Sequence, residues 1–532
     1  MIRVALRILQ LGAFAVVLAA SPREVFDLDR FLVPKELVLH GTALLAGAFA
    51  LRRIALSRVD WLLLGYLLLS ALSAVFAANP WIGVRAVALS ASAVLLFWVA
   101  RSLREAGLSR PLLNSLALAV VLAALTALLQ AYGLELTIFP GSRAPGGTLG
   151  NRNFVGHAAA FGLPLVLLAA LRARRFVLTS LGVTIVAASL VLTRSRAAWL
   201  ACAVSLAVFF VAMLVSRSMP WKRVAAVAVF GIAGIAAALL IPNALRWRSD
   251  NPYLESVQGV VNYEGGSGRG RLVQYTHSLR MAAAHPLLGV GAGNWPVRYP
   301  EFAARNDGSL NDSEPGTTFN PWPSSDWVAF VSERGFAAAA LLGAVFVVLF
   351  ARAWRCLRGE GSWEAATLMA TIAAAGVAGA FDAVLLLALP AFLVWCALGV
   401  LECTETAGVS PAEPAASRRW RTGEDAASGE WPARGGETPP RQPAGRRRSI
   451  LQVAIVLVSL VGVIRSTSQL IAMEIYATRG DRASLERAAR IDPGNYRVRL
   501  RLARKGRCAH ALAARGLFPN AEAAKAAARR CR

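Results

Sequence analysis

About a dozen apolar stretches of bilayer-spanning length follow one another along this chain, and every second connection carries a small knot of arginine. A run of roughly 20 apolar residues is what an α-helix needs to cross about 30 Å of hydrocarbon. Lys and Arg collect in the short loops on the cytoplasmic side. In lipid, a single span must satisfy its own backbone, which leaves helices as the building blocks. The two patterns together predict an all-α polytopic membrane protein with a defined orientation.

Spans are expected at about 4–20, 36–51, 60–78, 81–100, 112–134, 153–171, 176–193, 197–215, 222–241, 326–351, 363–385 and 387–402, with one more at 450–473. That is about 12 transmembrane helices plus one. With the N-terminus inside, the loops after the even spans are cytoplasmic. They hold Arg52, Arg53 and Arg58; Arg101, Arg104 and Arg110; Arg172, Arg174 and Arg175; Arg217, Lys222 and Arg223; and Arg352, Arg355 and Arg358. The shortest outer connections, near Asn79-Pro80 and Leu387, carry no Lys or Arg. The first span ends in Ala19-Ala20-Ser21, faintly like a signal peptide; it is read as a retained helix.

A net charge of +26 would suggest nucleic acid in a soluble protein. Here the charge is spread over loops and tails of a chain that is 56% hydrophobic and 17% charged, so no nucleic-acid partner is expected. Only Lys35, Lys222, Lys505 and Lys525 are lysines, so an arginine by itself is weak evidence of a site.

Residues 1–402 thus form a polytopic membrane domain. Within it, 242–325 is a large outer, periplasmic loop between spans 9 and 10, whose aromatic, Gly and Pro content suggests an ordered irregular unit with short helices. Residues 403–449 are rich in Pro, Gly, Ala, Glu and Arg and are expected to be a disordered cytoplasmic linker. Its Arg446-Arg447-Arg448 run anchors against anionic lipid. Residues 474–532 return outside. There Ala488 to Tyr496 looks like the junction of a tetratricopeptide-type (TPR-like) helix pair, suggesting a small helical tail. Cys508 and Cys531 are the only cysteines this topology places outside. A disulfide between them would clamp helices expected at 499–517 and 521–531.

Four clusters of unusual residues map to the outer side. Gly150-Asn151-Arg152-Asn153 opens the sixth span and leads to His157. Thr193-Arg194-Ser195-Arg196-Ala197 forms a hairpin between spans 7 and 8. Gly268-Arg269-Gly270-Arg271 leads to the Pro286-Leu287-Leu288-Gly289-Val290-Gly291 turn, and Ser324-Ser325-Asp326 leads to Glu333-Arg334-Gly335.

This ordered set resembles the O-antigen ligase and polymerase family over roughly residues 36–402. The pattern is a Gly-Asn-x-Asn start, a Ser-Arg-Ala hairpin, an Arg opening a loop helix, a Pro-x-x-Gly-x-Gly turn and a Glu-x-Gly helix. The resemblance implies a membrane glycosyltransferase without metal or cofactor. Such an enzyme moves glycan from undecaprenyl diphosphate to an acceptor hydroxyl, on lipid A-core or on another glycan, at the periplasmic face of the bacterial inner membrane. By motif position, Arg196 and Arg271 would grip the diphosphate, as planar guanidinium groups do. Arg194 and Arg269 are their nearest competitors, and Asn151 and Asn153 line the same side. Where the family has its His base, this chain has Ser324. Asp326 is the expected substitute, with Glu333 two turns below on the same face. The bland readings are an N-cap role for Asp326 and an ion pair between Glu333 and Arg196. The altered base keeps open a protein that binds lipid-linked glycan without transferring it. A polysaccharide transporter or flippase is the other rival, although no matching halves are seen.

Overall fold

The computed structural model describes residues 1–50, 56–247, 249–259, 266–359, 361–403 and 445–531. Among the described residues, nine α-helices precede the long loop: α1 (Ile2–Leu18), α2 (Asp29–Ala50), α3 (Arg58–Val75), α4 (Pro80–Glu105), α5 (Ser109–Ala131), α6 (Arg152–Arg172), α7 (Phe176–Thr193), α8 (Arg196–Val215) and α9 (Trp221–Leu240). The loop holds α10 (Pro252–Gln258), α11 (Gly266–Ala284) and α12 (Trp295–Arg298). Three more apolar helices follow, α13 (Asp326–Cys356), α14 (Ser362–Phe381) and α15 (Ala388–Leu401), then α16 (Gly445–Thr478). The tail forms α17 (Arg482–Ile491), α18 (Tyr496–Arg504), α19 (Cys508–Leu517) and α20 (Glu522–Arg529). The proposed linker falls mostly on 404–444, outside the described residues.

The architecture is all-helical. Among the described residues, eleven helices are long and apolar enough to cross a membrane: α2 to α9, α13, α14 and the Gln452–Thr478 part of α16. The expected spans at 4–20 and 387–402 fall on the shorter α1 and α15. Every residue of α15 is buried, as befits a helix that is apolar all round. A side chain at Gly399 would come 2.2 Å from the Phe97 carbonyl, so α15 and α4 meet backbone to backbone. Small residues permit this approach between membrane helices.

One end of the bundle collects arginines from three of the knots. Arg101 lies 3.0 Å from Asp60 and 3.6 Å from Glu402, Arg352 lies 2.6 Å from Glu402, and Arg172 pairs with Glu364. Asp60 and Glu402 are buried, so they need these partners. The other end carries the long loop. The tail docks there too: Asn520 donates to the Val297 carbonyl at 3.0 Å, and the Glu522 amide to Pro315 at 2.9 Å. Arg465 on α16 meets Asp492 of the tail at 2.7 Å. Cys508 and Cys531 are joined by a disulfide, with their Cα atoms 5.4 Å apart.

Candidate functional site on the loop face

The feature that organises this face is a break in α13. Gly335 has φ 82° and ψ 166°, a non-helical conformation inside an otherwise helical run. A broken helix frees backbone groups, which must find partners when buried. Here the loop supplies them: the Val290 amide donates to the Ser332 carbonyl and the Gly291 amide to Glu333, both at 3.0 Å. In return, the Phe336 amide donates to Pro286 at 3.0 Å. Gly289, at φ 64°, abuts the same break; a side chain there would stand 2.2 Å from the Glu333 carbonyl carbon. The Pro-x-x-Gly-x-Gly turn and the Glu-x-Gly helix are therefore two halves of one joint.

Glu333 belongs to that joint. Its carboxylate accepts from the Gly293 amide at 2.9 Å and the Trp295 amide at 3.3 Å, and it is 2% exposed. The ion pair suggested between Glu333 and Arg196 gives way to these backbone contacts. The Arg196 guanidinium donates instead to the Gly259 carbonyl. Arg334, next to Glu333, is buried over the rings of Tyr66 and Phe330, at 5.3 and 5.0 Å. The sequence places it in the Glu333-Arg334-Gly335 cluster but assigns it no role.

Asp326 is not the N-cap of α13. Ser325 fills that place, accepting from the Val328 amide at 3.4 Å and donating to the Gly379 carbonyl at 3.0 Å. The Asp326 carboxylate, fully buried, accepts from the Val384 amide at 3.0 Å and the Leu385 amide at 2.8 Å. It ties the start of α13 to the turn between α14 and α15. Ser324 is held by its backbone: its amide donates to Gln274 at 2.6 Å. The Tyr275 hydroxyl sits between the carbonyls of Ser324 and Ala380, at 2.6 and 2.8 Å.

The start of α6 faces this region. Asn151 caps the helix by accepting from the Asn153 amide at 3.0 Å. Asn153 donates to the Asp382 carboxylate at 3.4 Å. Phe154 packs on Trp322, with ring centres 6.1 Å apart. His157, one turn beyond Asn153, is 1% exposed. Arg271 is half-buried near the start of α11, whereas Arg269 is exposed.

The remaining arginines line a cleft of ≈ 950 Å³ that includes Arg143, Arg152, Arg194 and Trp247. Arg152 and Arg194 stack on Trp247 at 5.0 and 4.6 Å. Such stacks orient a guanidinium while leaving donors free. Arg194 also binds Ser256 at 2.8 Å and Glu255 at 3.1 Å. Arg194 and Arg196 thus reach toward α10 and its end. Residues 260–265, which lead on to α11 in sequence, lie outside the described residues.

Behind the site, a buried polar knot stiffens the loop. Asp307 accepts from the Tyr299 hydroxyl at 2.6 Å and lies 2.8 Å from the His277 ring. Burial pushes the Asp307 carboxyl up, but bonds from Tyr299, Ser309 and His277 outweigh it and hold it below the usual carboxylate range. Burial first, then Asp307 itself, pushes the Tyr299 hydroxyl well above its ordinary value.

Residues 181–343, from α7 through the break in α13, match the family described as O-antigen ligase. The match takes in Arg194, Arg196, Arg271, Ser324, Asp326 and Glu333. No curated protein matches the chain.

Proposed function

We propose that the chain, whose residues 181–343 match the O-antigen ligase family, transfers glycan from undecaprenyl diphosphate to an acceptor hydroxyl at its loop face. That face is read as periplasmic, with the protein in the bacterial inner membrane. The acceptor oxygen attacks the anomeric carbon of the donor. The bond from that carbon to the diphosphate breaks, and the diphosphate leaves with the electron pair. Ligation to lipid A-core is the first reading, and polymerisation onto another glycan the second.

What supports this reading is that the family segment holds Arg194, Arg196 and Arg271, at the α7–α8 hairpin and in the first turns of α11. Fixed cations aimed at a leaving diphosphate stabilise charge as it develops, and removing one such group costs about 10²–10³-fold in rate. Asp326 and Glu333, each spent on backbone amides, are assigned the work of holding the site's walls. The helical tail braces the loop from outside. Ser324 at the family's base position favours the alternative of glycan binding without transfer.

Deletion of the gene, read out as lipopolysaccharide banding, tests the proposal. Loss of ligation accumulates lipid-linked polymer on the carrier, and loss of polymerisation leaves single repeats. A binding protein leaves both patterns intact.

A further inference from the structure

Attack by an acceptor hydroxyl requires a group to take its proton, and the side chains on the loop face narrow the choice. Asp326 and Glu333 are buried against amides. Of the five histidines, His277 is bound to Asp307, His510 lies 2.8 Å from Glu486 in the tail, and His40 lies 2.8 Å from Ser92. His285 packs on Phe302 at the far end of α11, about 20 Å along that helix from Arg271 by its rise per residue.

His157 differs from all of these. Both ring nitrogens are buried and neither has a hydrogen-bond partner. Buried polar atoms are normally paired, and an unpaired one is costly unless something else meets it. The ring lies one turn past Asn153 on the same face of α6. Asn153, that one turn away, donates to the Asp382 carboxylate at 3.4 Å. Trp322, two residues before Ser324, packs on Phe154 in the same turn of α6. Tyr275 joins Ser324 to Ala380, two residues before Asp382. His157 and position 324 therefore belong to the same junction, approached from α6 and from the start of α13.

We propose that His157 is the base that takes the acceptor's proton in this chain, a role that rests on the transferase reading above. The hydroxyl proton passes to a ring nitrogen of His157 as the oxygen bonds to the anomeric carbon. The departing diphosphate carries away the electron pair of the broken bond. Asp382, positioned by Asn153, steadies the imidazolium that forms, and Arg271 meets the leaving group.

The test uses the full chain in proteoliposomes with undecaprenyl diphosphate-linked glycan and a lipid A-core acceptor. Transfer and donor binding are measured for wild type, His157→Gln and the double variant His157→Gln/Ser324→His. The expected result is a loss of at least about 100-fold in transfer for His157→Gln, with donor affinity within about threefold of wild type. The double variant, which returns an imidazole to the junction from its other side, recovers at least about tenfold of that loss. Transfer by His157→Gln within about threefold of wild type would overturn the proposal. So would loss of donor binding together with transfer, unrescued by Ser324→His, because His157 would then be a packing residue. A wild type that transfers nothing would instead refute the transferase reading itself, and the base with it.

Discussion

The Glu333 carboxylate accepts a hydrogen bond from the Gly293 amide at 2.9 Å, joining a membrane helix to a loop turn 40 residues earlier. With the pairings of Val290 and Gly291 to the carbonyls freed at the break, this bond makes the loop part of the helix's own hydrogen bonding. Glu333→Ala leaves the Gly293 and Trp295 amides buried without that acceptor, at about 1–3 kcal/mol each. The thermal unfolding midpoint in detergent should fall by several degrees for Glu333→Ala and by less for Glu333→Gln. Midpoints equal to wild type for both variants would remove the clamp.

Gly335→Ala probes the same joint by shape. A methyl there meets the Leu287 carbonyl at 2.2 Å, on a backbone at φ 82° that L-residues rarely adopt. Both effects act together, so this variant should lose at least as much thermal stability as Glu333→Ala. Unchanged stability would mean that the break is not fixed by this contact.

Acid should loosen the loop through Asp307. Its folded carboxyl titrates below the ordinary value. The stability it contributes is therefore fully present above the unfolded carboxylate pKa of about 4, and is lost as pH falls through the lower folded value. Limited proteolysis of the 290–320 region should accelerate below about pH 4 in wild type. In Asp307→Asn the dependence should be weaker and cleavage already faster at neutral pH. An identical pH profile in the two proteins would contradict the assignment.

The tail disulfide closes 23 residues. On the chain-entropy estimate such a link is worth about 3 kcal/mol. Cys508→Ser should make residues 496–531 more open to protease and weaken their seat on the loop, while the membrane bundle melts as before. Proteolysed protein from oxidising cells should yield the cross-linked peptide under non-reducing mass spectrometry. Free thiols at both positions would refute the bond.

Loop and tail share one face, so they should share one side of the membrane. In a background lacking the four free cysteines, Ser313→Cys and Arg515→Cys should react with an impermeant maleimide in intact spheroplasts. Arg358→Cys should react only after lysis. Labelling of position 313 only after lysis would reverse the orientation.

Most of the bundle was legible because its signal is local: a span declares itself by about 20 apolar residues. The errors have a common cause. The second span was expected from residue 36, yet α2 begins at Asp29. Arg30, Lys35 and Glu36 look like surface charges but are buried: Arg30 binds the Phe139 carbonyl, Lys35 the Val17 carbonyl, and Glu36 pairs with Arg85 at 2.7 Å. Each partner lies far along the chain or in another helix, where periodicity cannot see it. The site shows the same split. The motif order was readable, and Asn151 at a helix start follows from capping chemistry. That Asp326 binds amides 58 and 59 residues away was not. Nor was the break at Gly335, since a glycine in an apolar run is ordinary. His157 had a usable signal, its spacing of one helical turn from Asn153, but its unpaired nitrogens appear only once the helices are packed.

The most direct test of the central claim is glycan transfer by the purified protein in proteoliposomes, comparing wild type with Arg196→Ala, Arg271→Ala and the matching Lys variants. The account predicts transfer by wild type and a loss of about 10²-fold or more for each alanine variant at normal protein levels. The lysine variants should be only partly active, because a point charge does not reproduce the planar fork. Full transfer by both alanine variants would contradict the proposed diphosphate site.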